Sequence, residues 1–358
     1  MPARKTIALT LAAALVLGGG GTAVALALPS TVTRNADPAA GTASVSYRGL
    51  DVTGYADAYA TTAKALAKKS KKLTSVGVDG TNFTADGGSY YDVPDEAYAL
   101  LKQAHRAGDT AELLIGNYDN DLGDFSPDVA AALLDSPANM RATATALAAE
   151  VKKHGWDGVQ VDLESLSSLV EQDPGYTDRV TGYLALLRAE LDAVNPRKTL
   201  SIAIMATEGD YRDLGYDPLG IAESTDSIVL MAYDQHGPWE NNPGPVGGMP
   251  WVKKVLANLL KTVPKNEVQL GIAGYAYSWP KKGAGKQYSA AAARALVKRD
   301  GAKTHWSGTQ RERYATLRNG TRLWWSDAKA VDERVALARS LKLKGIAVWS
   351  IGLADTLD

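Results

Sequence analysis

The sequence WDGVQVDLE occupies residues 156–164 and predicts a β-strand with two unlike faces. Polar and apolar side chains alternate along it, so Gln160, Asp162 and Glu164 share one face and the aliphatic residues between them share the other. Two neighbouring carboxylates repel each other, which should raise the pKa of one and make it a general acid near neutral pH. The alternative is a pair of strand-end carboxylates that only hydrogen-bond to nearby loops.

Seven more apolar runs of strand length occur along the chain, and amphipathic stretches separate them. The eight predicted strands lie at 50–55, 75–78, 112–116, 158–163, 199–205, 227–232, 268–273 and 345–351. The predicted helices lie at 61–71, 94–107, 127–154, 177–194, 219–223, 250–262 and 327–341. This alternation predicts an α/β fold, a (β/α)8 TIM barrel, with a doubly wound open sheet as the alternative. In a barrel, Asp162 and Glu164 would approach the carboxyl-terminal mouth, where barrel enzymes keep their catalytic groups.

Within the predicted barrel domain, 46–358, one segment interrupts the alternation of strands and helices. A helical pattern at 289–299 is followed by two strand-like runs, 313–317 and 322–325, on either side of Asn319 and Gly320. Asn-Gly between two such runs is a strong signal for a β-hairpin. We therefore predict a small α+β insertion at about 278–325, after the seventh strand. The few residues after the eighth strand predict that the last helix is missing or a single turn.

The amino-terminal segment has the pattern of an export signal. Arg4 and Lys5 precede an apolar stretch at 7–28, and small residues near its end resemble a cleavage site. We expect 1–28 to be a signal peptide or a retained membrane anchor, and 29–45 to be a linker. The folded part should then be secreted or extracytoplasmic. The chain has no cysteine, so disulfides, thiolate metal sites and a cysteine nucleophile are excluded.

Composition narrows the class of ligand. The chain carries 39 Lys and Arg against 40 Asp and Glu, and this balance argues against nucleic acid or an anionic membrane as a partner. Its 16 Tyr and 8 Trp against only 2 Phe favour surfaces that are half apolar and half hydrogen-bonding, such as a sugar-binding cleft. The four histidines lack metal-ligand spacing, which argues against a histidine-based zinc enzyme. We expect a monomer.

The residues 157–164 resemble the D-G-x-D-x-D-x-E signature of glycoside hydrolase family 18, the chitinase family. Met231-Ala232-Tyr233-Asp234 is similar to the M-x-Y-D motif of that family, and Trp349 matches the Trp that floors its sugar site. Further blocks resemble the bacterial branch with spore-cortex-lytic and other peptidoglycan glucosaminidases: 115–118, 231–236, 243–246, 250–251, 271–279 and 325–327.

The resemblance implies hydrolysis of a β-1,4 bond after an N-acetylglucosamine unit, with retention of configuration and the substrate's acetamido oxygen as nucleophile. Glu164 would be the acid and base, Asp162 would orient the acetamido N–H, and the Tyr233 hydroxyl would hold the acetamido oxygen. The candidate substrate-binding residues are Gln160, Asp234, Met231, Trp349, Trp239, Asn117 and Tyr275. No metal or organic cofactor is implied.

Two positions depart from the chitinase pattern. Gln160 stands where chitinases carry a first Asp, so Asp162 lacks an inner carboxylate with which to share a proton; the Gln160 amide is expected to orient Asp162 instead. Leu163 replaces the aromatic residue typical of chitinases, which favours the cortex-lytic branch. Three hypotheses remain: a glycosidase acting on peptidoglycan or a related aminosugar polymer, a chitinase or chitooligosaccharide hydrolase, and a noncatalytic chitin- or peptidoglycan-binding lectin. Retention of both Asp162 and Glu164 favours catalysis.

Overall fold

Aliphatic runs form the strands, and amphipathic stretches, most of which begin at or directly after Ser, Asp or Pro, form the helices. The helices that end at Ala107, His154 and Asp300 are each followed by a glycine in the left-handed conformation. A computed structural model describes residues 46–355, so the predicted segments 1–28 and 29–45 lie outside the described residues. The strands, in chain order, are β1 Asp51–Asp57, β2 Ser75–Asn82, β3 Thr110–Gly116, β4 Tyr118–Asp119, β5 Asp124–Phe125, β6 Gly158–Asp162, β7 Thr199–Met205, β8 Ser227–Met231, β9 Val268–Ala273, β10 Tyr275–Trp279, β11 Lys286–Ser289, β12 His305–Ser307, β13 Glu312–Thr316, β14 Arg322–Trp325 and β15 Gly345–Trp349.

The helices lie between the barrel strands and on the insertion. They are α1 Ala63–Lys69, α2 Asp95–Ala107, α3 Pro127–Leu134, α4 Pro137–His154, α5 Ser167–Gln172, α6 Tyr176–Val194, α7 Pro218–Ala222, α8 Met249–Leu259, α9 Ala290–Asp300 and α10 Ala328–Leu341. Within residues 46–355, none is both long and apolar enough to cross a membrane.

Eight parallel strands close a barrel in the order β1-β15-β9-β8-β7-β6-β3-β2. The ring closes where β1 pairs with β15, with Asp51 opposite Gly345. The predicted TIM barrel is confirmed and the open-sheet alternative is wrong, because an open sheet would leave these two strands unpaired. All eight predicted strands are present, with ends that differ by a few residues. No helix follows β15 in the described residues 350–355.

The predicted helix at 127–154 is wrong, because the chain forms two helices there. α3 ends at Leu134, and the Ser136 side chain caps α4 by accepting a hydrogen bond from the Asn139 N–H. Pro137 follows the cap as the first residue of α4. Proline disfavours a helical conformation in the residue before it and cannot donate a main-chain hydrogen bond, so the break falls at Ser136.

The insertion is a five-stranded antiparallel sheet, in the order β11-β10-β14-β13-β12, with α9 packed against it. It begins at Tyr275, three residues before the predicted boundary at 278, because β10 leaves the barrel directly after β9. The predicted hairpin joins β13 to β14, and Gly320 at its turn has a φ of +83° that favours glycine. This sheet follows the seventh barrel strand directly and so lies at the carboxyl end of that strand.

Inside the barrel, two layers of side chains lie beneath the mouth. The upper layer is apolar and includes Tyr55, Leu114, Val229, Met231 and Ala347. The lower layer is polar: the Ser201 hydroxyl donates to Glu112 at 2.6 Å and accepts from the Gln160 amide at 2.8 Å. The upper layer supports the side chains that open onto the mouth.

Candidate active site

The main cavity of the described chain lies at the carboxyl end of the barrel strands and has a volume of about 660 Å³. That volume is in the range of small-molecule sites. Its lining comes from the ends of β1, β2, β3, β6, β8 and β15 and the loops that follow them. The lining residues are Asp57, Tyr59, Asp79, Gly80, Thr81, Asn82, Tyr91, Leu114, Gly116, Tyr118, Asn120, Phe125, Asp162, Glu164, Met231, Tyr233, Asp234 and Trp349.

Strand β6 carries the predicted carboxylates to this cavity. Asp162 is its last residue and is only 7% exposed, and one of its carboxylate oxygens, Oδ1, is buried without a hydrogen-bond partner among residues 46–355. Glu164 lies two residues further, at the floor of the mouth. The chain then turns sharply, because Ser165 adopts a left-handed conformation with φ at +60°.

Gln160 does not reach the cavity. It is 1% exposed, one layer below Asp162, and its amide donates to the Ser201 hydroxyl. The predictions that Gln160 binds substrate and orients Asp162 by donating a hydrogen bond are therefore wrong. The barrel interior offers this amide a polar partner on β7, and the alternation of the strand places it below the mouth.

Asn117 is also not a substrate contact, because its side chain is fully engaged by the main chain. Its Nδ2 donates to the Ser126 carbonyl at 2.8 Å and to the Glu164 carbonyl at 3.0 Å, while its Oδ1 accepts the Glu164 N–H at 2.9 Å. The residue is completely buried. Asn117 instead fixes the main chain from which the Glu164 side chain projects.

Tyr233 and Asp234 follow the end of β8 and both line the cavity. Asp234 has φ at +58°, a left-handed conformation that Asp tolerates better than most residues. Its Oδ1 accepts the hydroxyls of Tyr275 at 2.5 Å and Tyr277 at 3.0 Å. Tyr275 is completely buried, so the prediction that it contacts substrate is wrong; it acts on the site through Asp234. No group among the described residues hydrogen-bonds to the Tyr233 hydroxyl.

Two further candidates, Met231 and Trp349, line the cavity together with Tyr233. Met231, the last residue of β8, is buried at the cavity wall, and Trp349 at the end of β15 is half-buried there. The Trp349 ring packs at 5.3 Å from the Tyr55 ring, measured between centroids. This contact fixes the plane of the indole, which leaves an aromatic floor beside Asp162.

Trp239 lies outside the cavity lining but next to it. It is 38% exposed, and its ring meets the edge of Tyr277 at a centroid distance of 5.5 Å. Tyr277 also donates its hydroxyl to Asp234 in the cavity. Tyr277 and Trp239 together therefore extend the aromatic surface from the cavity toward the insertion. An exposed indole in this place can serve as a stacking platform for a sugar beyond the cavity.

Two acidic residues that the sequence analysis missed complete the cavity. Asp57 ends β1 and Asp79 lies opposite it on β2. Asp79 directly follows the predicted strand 75–78 and Asp57 lies two residues after the predicted strand 50–55, so their position at strand ends was the available signal. Together with Asp162, Glu164 and Asp234 they give five carboxylates, and no Lys, Arg or His belongs to the described lining.

Burial in the cavity raises the pKa of three carboxyl groups, those of Asp79, Asp162 and Glu164. Desolvation, and then the charge of Asp57, raise the pKa of Asp79 to about 7. Desolvation followed by the charge of Asp79 raises the pKa of Asp162, and desolvation with the charges of Asp162 and Asp234 raises that of Glu164 well above its ordinary value. The raised pKa favours the protonated form of Glu164, which can donate a proton.

Asp234 is the most exposed of the five acids. The surrounding protein still removes part of its hydration, which raises its pKa to about 6, while the hydroxyls of Tyr275 and Tyr277 lower it. Within residues 46–355, no group of three or more His, Asp or Glu is arranged to hold a metal ion. The chemistry this arrangement supports is proton transfer and hydrogen bonding to a ligand with polar groups on a ring.

Comparison with known proteins agrees with this geometry. Residues 51–354 match the family model for glycosyl hydrolases family 18. The chain is 23% identical to the uncharacterized glycosylase YvbX of Bacillus subtilis over 309 residues, which are 84% of this chain and 86% of that protein. It is 22% identical over 275 residues to the cortical fragment-lytic enzyme of Bacillus anthracis, covering 73% of this chain and 61% of that relative, less than two thirds of its length.

Two solved structures share the fold. A chitinase from Chromobacterium violaceum superposes with a TM-score of 0.75 at 24% identity, covering 86% of this chain and 96% of that chain. The spore cortex-lytic enzyme SleL of Bacillus cereus superposes with a TM-score of 0.74 at 20% identity, covering 87% of this chain and 73% of that chain. At these identities the likeness extends to the fold and not to the substrate.

Proposed function

Because this chain belongs to glycosyl hydrolase family 18 and is a glycosidase, we propose that it cleaves β-1,4 bonds after N-acetylglucosamine units in peptidoglycan or a related aminosugar polymer. The observation that carries the proposal is the meeting of Asp162, Glu164, Tyr233 and Trp349 in one cavity. Cortical fragment-lytic enzymes among the relatives support peptidoglycan as the polymer, and chitinases among them support chitin as the alternative.

The proposed reaction uses the substrate's own acetamido group. Glu164, whose raised pKa favours its protonated form, donates its proton to the glycosidic oxygen as the bond to C1 breaks, and the acetamido oxygen attacks C1 from the opposite face. The oxazolinium ion that forms is opened by water, which gives its proton to Glu164. Two displacements at C1 retain the configuration.

Asp162 and Tyr233 would position the nucleophile. The unpartnered Oδ1 of Asp162 can accept the acetamido N–H and offset the positive charge of the oxazolinium ion. The free Tyr233 hydroxyl can donate to the acetamido oxygen and hold it in line with C1. Trp349 would stack on the sugar face, Met231 would pack beside it, and the free oxygen of Asp234 would accept a sugar hydroxyl.

Product analysis tests the proposal. The full chain is incubated with purified peptidoglycan and, separately, with chitohexaose, and the products are identified by mass spectrometry and their anomers by NMR. We expect new N-acetylglucosamine reducing ends in the β configuration from peptidoglycan. Muramic acid reducing ends, or α-anomers, would overturn the proposal; cleavage of chitohexaose alone would make the protein a chitinase, and no cleavage of either would favour a lectin.

The proposed site of action is outside the cytoplasm, because the polymer is there. The support is the pattern at 7–28, which is typical of a secretory signal or an anchor. Fractionation of the native host with an antibody against the chain would locate it in the medium or at the membrane. Recovery in the cytoplasm would contradict the proposal.

A further inference from the structure

A second pocket, of about 340 Å³, lies beside the active-site cavity, between the loop that follows Asp234 and the insertion. Its walls are Pro238, Pro243, Pro280 and the half of Trp279 that faces the loop. Two cationic side chains, Lys281 and Arg322, also line it. This pocket has no place in the mechanism described above.

The cations in this pocket are not neutralised by the protein. Neither the Lys281 ammonium nor the Arg322 guanidinium has a hydrogen-bond or ion-pair partner among residues 46–355. The one carboxylate in the lining, Glu240, is held by His236, with 2.9 Å between its Oε1 and the His236 Nδ1. An unpaired Lys and Arg in one concave site form a binding surface for an anion, and the fork of Arg suits a carboxylate.

Contacts with the insertion hold the side chain of Lys281 and the main chain of Arg322 in place. The methylene stem of Lys281 lies against Gly320, where a Cβ would come within 2.2 Å of the Lys281 Cε. Arg322 is paired with Trp279 across β10 and β14, so its main chain is fixed at the pocket edge. Removal of the hairpin glycine, or of either cation, would therefore change the pocket without touching the barrel.

The pocket is joined to the active site by one row of aromatic rings. Tyr277 donates to Asp234 in the cavity, and its ring contacts both Trp239 and Trp279. Tyr277 and Trp279 are two residues apart on one strand, which is about 7 Å. A polymer bound across Trp349 and Trp239 would carry the substituents of a neighbouring sugar over the pocket.

The two neighbouring sites have opposite charge. The cavity has five carboxylates and no cation in its described lining, so it repels any acidic substituent, while the pocket attracts one. We infer that the pocket formed by Lys281, Arg322 and Trp279 binds a carboxylate that the glycan carries next to the cleaved bond. In peptidoglycan this carboxylate belongs to a stem peptide or, where the stem has been removed, to the lactyl group. This inference rests on the proposed function and would select peptidoglycan over chitin.

The test measures binding without turnover, in the full chain carrying Glu164→Gln. The probes are a peptidoglycan tetrasaccharide with its stem peptides, the same tetrasaccharide after an amidase has removed them, and chitotetraose, which has no carboxylate. Affinities are measured by calorimetry for the parent and for Lys281→Met with Arg322→Gln. Lys303→Met is the matched control, because Lys303 is an exposed lysine of the insertion outside this pocket.

We expect the double substitution to weaken binding of a carboxylate-bearing probe by about tenfold or more, since hydrogen bonds to charged groups contribute that much. Chitotetraose affinity should not change, and Lys303→Met should change none of the three. If the double substitution weakens binding of the tetrasaccharide with stem peptides, the ligand is the stem carboxylate. If it weakens binding of the amidase-treated tetrasaccharide, the ligand is the lactyl carboxylate. Unchanged binding of both acidic probes, no binding of them by the parent, or an equal loss for chitotetraose would overturn the inference.

The readout separates this inference from the proposed function. Hydrolysis of peptidoglycan by the chain with Glu164 intact is scored by its products alone. If the products are as proposed and the double variant binds as the parent does, the pocket inference fails and the proposed function stands. If no product forms but the acidic probes bind through Lys281 and Arg322, the proposed function fails and the pocket is a recognition site.

Discussion

Asn117 holds the main chain of Glu164 on both sides of the residue, accepting its N–H at 2.9 Å and donating to its carbonyl at 3.0 Å. The two residues are 47 positions apart, on the ends of neighbouring strands β3 and β6. The Glu164 carboxyl therefore projects from a main chain with little freedom to rotate. Positioning of this kind matters to rate because a misplacement of about 1 Å can cost about 100-fold.

Asn117→Ala should lower kcat by about 100-fold while leaving KM nearly unchanged, because substrate contacts remain and only the aim of Glu164 is lost. The measurement is steady-state kinetics on the substrate identified by product analysis. Asn139→Ala is the control, since the Asn139 amide also binds two main-chain carbonyls, those of Asp86 and Ala132, but far from the cavity. Equal losses of kcat in the two variants would mean that the effect is one of folding.

Glu164→Gln should lower kcat by at least about 100-fold, because the amide cannot give a proton to the glycosidic oxygen. Binding of an N-acetylglucosamine oligomer, measured by calorimetry, should be retained. Glu171→Gln on the exposed face of α5 is the control and should behave as the parent. Hydrolysis at the parent rate by Glu164→Gln would remove Glu164 from the mechanism.

Tyr233→Phe should reduce kcat by about 10- to 100-fold, more than it weakens oligomer binding, because its hydroxyl acts on the reacting acetamido oxygen. Tyr176→Phe removes a hydroxyl that binds Asp135 outside the cavity and serves as the control. A thiazoline analogue of the oxazolinium ion should also bind less tightly to Tyr233→Phe. If the thiazoline does not inhibit the parent at all, the acetamido group is not the nucleophile.

The sequence predicts the barrel and its carboxylate pair because both depend on local alternation. The order WDGVQVDLE places Asp162 and Glu164 on one face whatever the partner strands are, and Asn319-Gly320 specifies its hairpin in the same local way. The break at Ser136 was equally local, since the Ser-Pro pair is visible in the sequence, but the apolar pattern on both sides concealed it.

The functions of Asn117, Gln160 and Tyr275 could not be predicted, because each depends on a partner distant in sequence. Asn117 binds the Glu164 main chain, Gln160 binds Ser201, and Tyr275 binds Asp234. Asp57 and Asp79 were missed for a related reason: their charges matter only because closing of the barrel brings β1 and β2 around to face β6. No spacing along the chain encodes that distance.

The pH dependence should reveal the influence of Asp79 on Asp162. Asp162 must be ionised to accept the acetamido N–H, so kcat/KM should rise with pH through the pKa of Asp162 and fall through that of Glu164. Asp79→Asn removes a charge that raises the pKa of Asp162, so the acidic limb should move to lower pH. The basic limb should stay, since Asp79 is not among the charges that raise the pKa of Glu164.

Asp57→Asn is a control that should shift the acidic limb of the pH profile in the opposite direction. The Asp57 charge contributes to the pKa of about 7 at Asp79, so its removal lowers that pKa and leaves Asp79 more ionised at pH 6. A more ionised Asp79 repels the Asp162 carboxylate more strongly, and the acidic limb should move to higher pH. If the acidic limb moves in the same direction for both variants, the total charge of the cavity controls the pH profile. The proposed sequence, in which Asp57 acts on Asp79 and Asp79 acts on Asp162, would then be wrong.

The loop that follows Asp234 depends on a buried ion pair for its position. Glu312, at the start of β13, accepts the N–H groups of Val246 and Gly247, and the Arg334 guanidinium on α10 donates to it at 3.0 Å. Both charged side chains are 2% exposed or less. Glu312→Ala would leave the Arg334 charge buried without a counter-ion and two N–H groups without an acceptor, so we expect a loss of about 3–5 kcal/mol in the free energy of unfolding.

The neighbouring pair of Arg311 and Glu333 is exposed, and Glu333→Ala should cost less than about 1 kcal/mol, which makes it the matched control in urea unfolding. Similar midpoints for the two variants would mean that water already reaches the Glu312 site and that the loop beside the active site has another support.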